Sequence, residues 1–186
     1  VTQMDDYIGR ILQQLKTQGL ENNTIVIFTS DNGTHAEGGR TRKDAFETFQ
    51  SSGPLKGIKR DLYEGGIRIP FIVKWPAKVK AAATSNMAAA FWDVLPTLAA
   101  AAGLQQMKSN GISFLPTLLQ QPQNMQHKYL YWEFYEGGFK QAIRQGDWKA
   151  IRFYKGTKPD RTELYNLKYD IGEMTNLASN HPSKVT

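Results

Sequence analysis

The sequence predicts an α/β fold followed by a small set of antiparallel strands. Three observations favour this class: a helical apolar pattern at the start, two strand-length apolar runs separated by a long polar segment, and four short strand patterns at hairpin spacing near the end. Hydrophobic residues make up 40% of the 186 residues and aromatic residues 11%, which is enough for a packed core.

The first element is predicted to be an amphipathic helix, followed by a buried strand. Its apolar residues recur at helical spacing, and Gly19 stands where a C-terminal cap belongs. The residues of the apolar face are Met4, Ile8, Ile11, Leu12 and Leu15. The run from Thr24 to Thr29 is apolar on both faces, which is typical of a buried parallel strand.

A second strand and a second helix are predicted further along the chain. The run from Ile67 to Trp75 has strand composition, although Pro70 interrupts it. A helical pattern beginning near Trp92 ends at Gly103, with Asp93 as its expected N-cap.

A Gln/Pro/Asn-rich linker over 120–126 suggests a boundary in the chain. We expect residues 1–120 to be part of an α/β domain and residues 121–186 to form an antiparallel subdomain. The four strand patterns of that subdomain are separated by glycine-containing turns. They run over 129–135, 139–144, 148–154 and 163–167.

Composition and charge exclude several classes of partner. The formal net charge is +6, but the lysines and arginines are scattered, and the densest stretch, Arg40–Lys43, has no interleaved aromatic residues. We therefore expect no nucleic-acid partner. No apolar stretch approaches the roughly 20 residues that span a bilayer, so we expect no membrane span. The chain contains no cysteine, which excludes disulfides and thiolate metal ligands.

The polar segment from Ser30 to Gly66 is the predicted functional region, because long loops in compact domains are often functional. Asp31 and Asn32 directly follow the first strand, at the carboxyl end where open α/β sheets bind ligands. Their hard oxygens suit Ca²⁺ or Mg²⁺, and Gly33 allows a sharp turn. On the residues alone, an ordinary Asp-Asn-Gly turn is the favoured interpretation.

The order of the motifs resembles the sulfatase family of the alkaline-phosphatase-like superfamily. After Asp-Asn-Gly come Gly53-Pro-Leu-Lys-Gly-Ile-Lys59, then Tyr63-Glu-Gly-Gly-Ile-Arg-Ile-Pro70, then a strand ending in Lys74-Trp-Pro76. The resemblance covers essentially the whole chain. Its further segments are 92–97, 110–116, 129–133, 144–149 and 163–167.

This resemblance implies roles for individual residues. Asp31 and Asn32 match metal ligands, with Ca²⁺ expected ahead of Mg²⁺, and Lys59 matches the lysine that contacts the sulfate. His35 is a second catalytic candidate, because an imidazole can donate to a leaving group near neutral pH. Glu64 and Arg68 resemble an architectural ion pair that supports the loop carrying Lys59.

The family's nucleophile, a formylglycine made from Cys or Ser in a Cys/Ser-x-Pro-x-Arg motif, has no counterpart in these residues. Asp5-Asp6 is not a candidate for the missing metal ligands, because it lies on the opening helix. The resemblance implies that the nucleophile precedes Val1, that this chain alone is inactive, and that the parent acts in the periplasm or outside the cell.

Two alternatives to a sulfatase remain open. One is a phosphatase or phosphodiesterase of the same superfamily, and the other is a sulfatase-like binding module that lacks the nucleophile. The expected ligand of the sulfatase is a sulfate ester, and the basic net charge favours a sulfated saccharide among such esters.

Overall fold

A long helix opens the chain, as its apolar spacing predicts. In the computed structural model, which describes residues 1–104 and 108–185, α1 spans Thr2–Thr17. Gly19 then adopts a left-handed backbone with φ +69°, and its N–H donates to the Lys16 carbonyl at 3.0 Å. Such a φ disfavours any Cβ, which is why a glycine ends this helix.

The predicted apolar face of α1 is less buried than its pattern indicates. Ile8, Leu12 and Leu15 are half-buried, while Met4 and Ile11 are exposed, and no residue of α1 is fully buried. The expectation of a buried face was therefore wrong in degree. The helical period fixes which side chains share a face, but burial depends on what packs against that face.

The chain divides into two compact units. The first comprises Val1–Phe28 and Phe71–His127, and the second comprises Thr29–Pro70 and Lys128–Thr186. The predicted division at residue 120 remains a prediction. No helix among residues 1–104 and 108–185 combines the length and apolarity needed to cross a bilayer.

β1 (Val26–Thr29) and β2 (Phe71–Lys74) form a two-stranded sheet. The prediction of two buried strands was wrong, because Phe28 is 41% exposed and Ile72 is 60% exposed. Apolar side chains on both faces of a sheet require a covering layer on both faces, and the residues described provide only partial cover. β2 begins directly after Pro70, which lacks the N–H that a ladder needs.

The second long apolar segment forms a helix, and Asp93 organises its beginning. A 3-10 turn at Phe91–Asp93 leads into α3 at Val94–Ala101. The buried Asp93 carboxylate accepts the Ala90 N–H at 2.8 Å, reaching backwards in the chain. Asp93 thus occupies the predicted N-cap position of α3, but its side chain accepts no capping hydrogen bond from that helix and instead caps the preceding 3-10 turn.

Asp93 also ties later parts of the first unit together. Its Oδ1 accepts the Ile112 N–H at 2.8 Å and lies 2.7 Å from His127 Nε2. The first unit ends with α4, a single turn at Leu115–Leu118. His127 thus has a structural role as a partner of this buried carboxylate.

The second unit has the antiparallel meander that the hairpin spacing predicts. Its strands pair in chain order, each antiparallel to the next. They are β3 (Leu130–Phe134), β4 (Lys140–Gln145), β5 (Trp148–Lys155) and β6 (Lys158–Asn166). β6 begins earlier than predicted, because polar residues at its start pair with the end of β5.

One apolar cluster links the meander to the predicted functional segment. Its buried members come from three strands, from the chain after β6, and from the segment before α2 (Glu64–Ile67). They are Leu62, Ala142, Ile151, Tyr165 and Leu167. Leu62 therefore anchors the segment between Lys59 and Glu64 to the sheet.

Candidate functional site

The Asp-Asn-Gly turn follows β1 and is ordered by its own hydrogen bonds. The Ser30 hydroxyl donates to the Asn32 carbonyl at 2.8 Å, and Asn32 Nδ2 donates to the Gly33 carbonyl at 2.9 Å. The amide nitrogen of Asn32 is thus engaged, which leaves Oδ1 as its side-chain acceptor. Asp31 beside it is exposed, so the turn offers two hard oxygen ligands to an approaching cation.

Gly33 fixes this turn against the Glu-Gly-Gly segment. Its N–H donates to the Gly66 carbonyl at 2.9 Å. A Cβ on Gly33 would lie 1.7 Å from the Gly65 carbonyl oxygen, a distance at which no side chain fits. Glycine is therefore required here by the close approach of two backbones.

The Glu-Gly-Gly segment forms α2 and packs equally closely on the Lys56–Asp61 loop. The Gly65 N–H donates to the Lys56 carbonyl at 2.7 Å. A Cβ on Gly65 would lie 2.3 Å from the Gly57 carbonyl oxygen, and one on Gly66 would lie 2.2 Å from that of Asp61. Two adjacent glycines thus hold the loop that carries Lys59 directly against α2.

A buried ionic cluster also holds α2. The Lys149 Nζ lies 2.9 Å from Glu64 Oε1 and 2.9 Å from Glu173 Oε1, and all three side chains are at most 3% exposed. Glu173 Oε2 also accepts the Glu64 N–H at 2.6 Å. The predicted ion pair between Arg68 and Glu64 is present at 3.1 Å, while its supporting role stays a prediction.

The two carboxylates of this cluster differ in their electrostatics. Burial acts to raise the pKa of Glu64, but the charges of Lys149 and Arg68 outweigh it, so this pKa is lowered. Burial raises the pKa of Glu173 more than Lys149 lowers it. The two pKa values therefore shift in opposite directions, because two cations contact Glu64 and one contacts Glu173.

Lys59 lies beside the loop that follows the Asp-Asn-Gly turn. Its N–H donates to the Thr34 carbonyl at 2.7 Å, and its Nζ lies 3.2 Å from Glu37 Oε2. Its side chain is 31% exposed. Lys59 and the predicted metal turn are thus joined through the short segment from Gly33 to Thr34.

Glu37 is shared between Lys59 and its neighbour Arg60. Arg60 Nη1 contacts the Glu37 Oε1, and Arg60 Nε lies 2.7 Å from Glu136 Oε1. The hydrogen bond from Arg60, followed by that from Lys59, lowers the pKa of Glu37. The sequence predicted Lys59 but neither of these two neighbours.

His35 is exposed and lies in the same loop. Its Nδ1 accepts the Glu37 N–H at 3.2 Å, so the neutral imidazole carries its proton on Nε2. That tautomer can donate a hydrogen bond outward from the loop. The catalytic assignment of His35 remains a prediction.

Asp31 and Asn32 have no cluster of further ligands around them in the part of the chain described. No group of three or more His, Cys, Asp or Glu residues there is arranged to hold a metal ion. The donor chemistry of the turn nevertheless fits Ca²⁺, which takes carboxylate and amide oxygens. These two residues can supply part of a coordination shell, and Ca²⁺ prefers six to eight oxygens.

A separate cavity of about 420 Å³ lies beside the Pro-Leu-Lys-Gly segment. Lys56 lies at its wall, with Nζ 4.2 Å from the centre of the Tyr63 ring and 3.2 Å from the Glu173 carbonyl. None of the predicted catalytic or metal residues lines this cavity.

Lys149 and Glu173 were absent from the predicted site, although β5 carries a usable signal for the lysine. Lys149 and Ile151 are both buried, two residues apart on one face of the strand. A lysine in register with a core isoleucine requires a buried counter-ion. No sequence pattern identifies Glu173 as that partner, because it comes from the irregular tail.

Two family models match this chain. The Sulfatase model matches residues 1–104, and the model for the C-terminal part of N-sulphoglucosamine sulphohydrolase matches residues 58–185. An N-acetylgalactosamine-6-O-sulfatase of Bacteroides thetaiotaomicron is 33% identical over 205 residues, covering 100% of this chain and 39% of that protein. Mouse steryl-sulfatase is 32% identical over 166 residues, covering 86% of this chain and 26% of that protein.

A solved structure has a similar fold. It is described as a complex with its substrate D-glucosamine-2-N,6-O-disulfate, and it is 30% identical, with a TM-score of 0.76 over 97% of this chain and 35% of its own. The prediction of an alkaline-phosphatase-like α/β part followed by antiparallel strands is confirmed. This chain spans 26% to 39% of the length of the two relatives named above. The chain belongs to the sulfatase family.

Proposed function

We propose that this chain carries one half of the active site of a sulfatase that hydrolyses sulfate esters of saccharides. In this proposal Asp31 and Asn32 are metal ligands, and Lys59 contacts the sulfate. One observation carries it: Gly33 binds the Gly66 carbonyl while Lys59 binds the Thr34 carbonyl. These bonds support a single site, because they join the metal turn, the lysine and the Glu-Gly-Gly segment.

The proposed metal is Ca²⁺, with Mg²⁺ a less suitable ion. The Asp31 carboxylate and Asn32 Oδ1 are hard oxygen ligands, and the exposed position of Asp31 leaves room for the further ligands that Ca²⁺ requires. When bound, the ion would polarise the sulfate oxygens and neutralise part of their charge. Mg²⁺ demands a tighter octahedral shell, which an open turn serves less well.

Lys59 would stabilise the negative charge that develops on the departing oxygen. A compact ammonium on a flexible stem suits that role, and its partial exposure keeps it accessible to substrate. His35 would donate from Nε2 to the leaving group, in keeping with Nδ1 accepting a backbone N–H. Glu64 and Arg68 would hold α2, and through it the loop that carries Lys59.

The nucleophile is proposed to be a formylglycine supplied by sequence outside these residues. This chain has no cysteine and no Ser-x-Pro-x-Arg segment. The aldehyde hydrate would provide the oxygen that attacks sulfur. We therefore expect the 186-residue chain by itself to release no sulfate from an aryl sulfate. Turnover by the purified chain, with contaminating enzymes excluded, would contradict this expectation.

The proposed substrates are sulfated amino sugars. One similar structure is described with D-glucosamine-2-N,6-O-disulfate as its substrate, and one relative is named for N-acetylgalactosamine 6-O-sulfate. The net charge of +6 also favours a polyanionic ligand. A longer form of the protein that carries the nucleophile should release sulfate from such sugars. Release of phosphate but not sulfate from matched esters would instead indicate a phosphatase of the same superfamily.

The metal-binding half of the proposal is testable with this chain alone. We expect Ca²⁺, added during NMR titration, to shift the Asp31–Gly33 amide signals with a Kd in the millimolar range, because few ligands are present. Asp31→Ala should abolish those shifts. Asp5→Ala, which removes an equal charge from α1, is the matched control and should leave them unchanged. Equal shifts in the two variants would contradict the assignment.

A further inference from the structure

Two neighbouring cations share one carboxylate in the loop region. Lys59 Nζ lies 3.2 Å from Glu37 Oε2, and Arg60 Nη1 contacts Glu37 Oε1. The two oxygens of a single anionic group thus meet one cation each. A sulfate group presents the same chemistry, with several negatively charged oxygens around one centre.

The backbone of Arg60 is unusual for an arginine. Its φ is +76°, in the left-handed region that disfavours residues with a Cβ. Such conformations are energetically unfavourable and persist where the surroundings impose them, often at ligand sites. Glu136 restrains the same side chain through Nε at 2.7 Å. An unfavourable backbone conformation at Arg60 therefore places its guanidinium beside Lys59.

We propose that Lys59 and Arg60 together form one binding site for an oxyanion. In the absence of that ligand, the Glu37 carboxylate occupies the site, and the ligand displaces it. The ligand class is a sulfate group, free or esterified, which would replace the Glu37 carboxylate on both cations. This inference rests on the proposed function, because it adds Arg60 to the sulfate contact assigned to Lys59.

The exposure of these groups suits exchange between ligands. The side chains of Lys59, Glu37 and Arg60 are 31%, 40% and 40% exposed, so solvent and small anions reach them. Exposed ion pairs contribute little stability, so replacing Glu37 by an incoming anion costs little. A guanidinium has five N–H donors in a planar fork, which allows Arg60 to keep Glu136 while it binds a sulfate oxygen.

The test is an NMR titration of the chain with sodium sulfate, at constant ionic strength maintained with sodium chloride. The amide signals of residues 57–61 report binding in the wild type and in three variants. Glu37→Gln removes the competing charge, Arg60→Asn removes the second cation, and Lys59→Met removes the first. Asparagine tolerates the left-handed backbone better than most residues, so Arg60→Asn should remain folded.

Matched controls separate a local contact from a general loss of charge. Lys43→Met removes an exposed lysine whose nearest partner, Glu47, is 3.9 Å away, and Arg40→Asn removes an exposed arginine of the same loop. Both controls should bind sulfate as the wild type does. Thermal unfolding of each variant checks that the fold is intact.

We expect Glu37→Gln to bind sulfate about tenfold more tightly, and Arg60→Asn and Lys59→Met to bind it about tenfold more weakly. If only Lys59→Met weakens binding, the shared site is overturned while the proposed role of Lys59 stands. If Lys59→Met binds like the wild type, both the shared site and the proposed sulfate contact fail.

Discussion

The second unit contains two ionic clusters of opposite character. The buried cluster of Lys149, Glu64 and Glu173 is at most 3% exposed at every side chain. The open cluster around Glu37 and Arg60 is 31% to 64% exposed. The first includes Glu64 of α2, and the second lies in the loops next to the predicted metal turn.

The contrast shows how one chain can combine a rigid cluster with an exchangeable one. Buried charges cannot lose a partner without a large cost, so they fix the backbone that they hold. Exposed pairs are compensated by water and salt, so they can change partners. The buried cluster therefore suits positioning of the Glu-Gly-Gly segment, and the open cluster suits ligand exchange.

The largest effect is expected from removing the buried cation. Lys149→Met leaves Glu64 and Glu173 facing each other without their shared partner, so we expect a loss of about 3–5 kcal/mol in the free energy of unfolding. Urea denaturation measures it. Lys155→Met, at the exposed end of the same strand, should change stability by less than about 0.5 kcal/mol. A similar small change for Lys149→Met would contradict the assigned role of the buried cluster.

A second prediction concerns the two backbones that meet at Gly33 and Gly65. Gly33→Ala places a Cβ 1.7 Å from the Gly65 carbonyl oxygen, so we expect a loss of about 2–3 kcal/mol and weaker Ca²⁺ binding. Gly9→Ala is the control, because nothing lies within 4 Å of its Cβ. Since Gly9 lies inside α1, that substitution should stabilise the chain by up to about 1 kcal/mol. Calorimetric unfolding of both variants tests these opposite signs.

The smallest effect concerns the open cluster and its dependence on pH. The pKa of Glu37 is lowered, mainly by Arg60, so its contribution to stability is present above the pKa of an unperturbed glutamate, about 4.3, and is lost as pH falls through the lowered value. The stability difference between wild type and Glu37→Gln should therefore shrink below that pH. Parallel denaturation curves at pH 3 and pH 7 measure it, and a difference that grows on acidification would refute the ion pairing.

The regular elements were predictable because local patterns determine them. The helical period of the apolar residues predicted α1, and the strand patterns at hairpin spacing predicted the meander from Leu130 to Asn166. The extent of burial was not predictable, as the exposed Phe28 and Ile72 show, since it depends on which layers pack on the sheet. A local sequence pattern therefore predicts which element forms more reliably than it predicts how deeply that element is buried.

Within the candidate site, the motif residues were identified and their partners were not. Asp31, Asn32 and Lys59 belong to recognisable segments, whereas Glu37 and Glu136 approach Arg60 from 23 and 76 residues away. A local sequence pattern carries no information about contacts between residues so far apart in the chain. The positive φ of Arg60 was not predictable either. A glycine at this position would have indicated such a backbone, but an arginine does not.

The complete burial of the Lys149 amine has a chemical consequence. Acylating reagents modify lysines that solvent can reach, so in the folded chain this amine should stay unmodified while exposed lysines react. Labelling at Lys149 would then require the meander to open. The rate of this labelling would measure how often the fold opens globally.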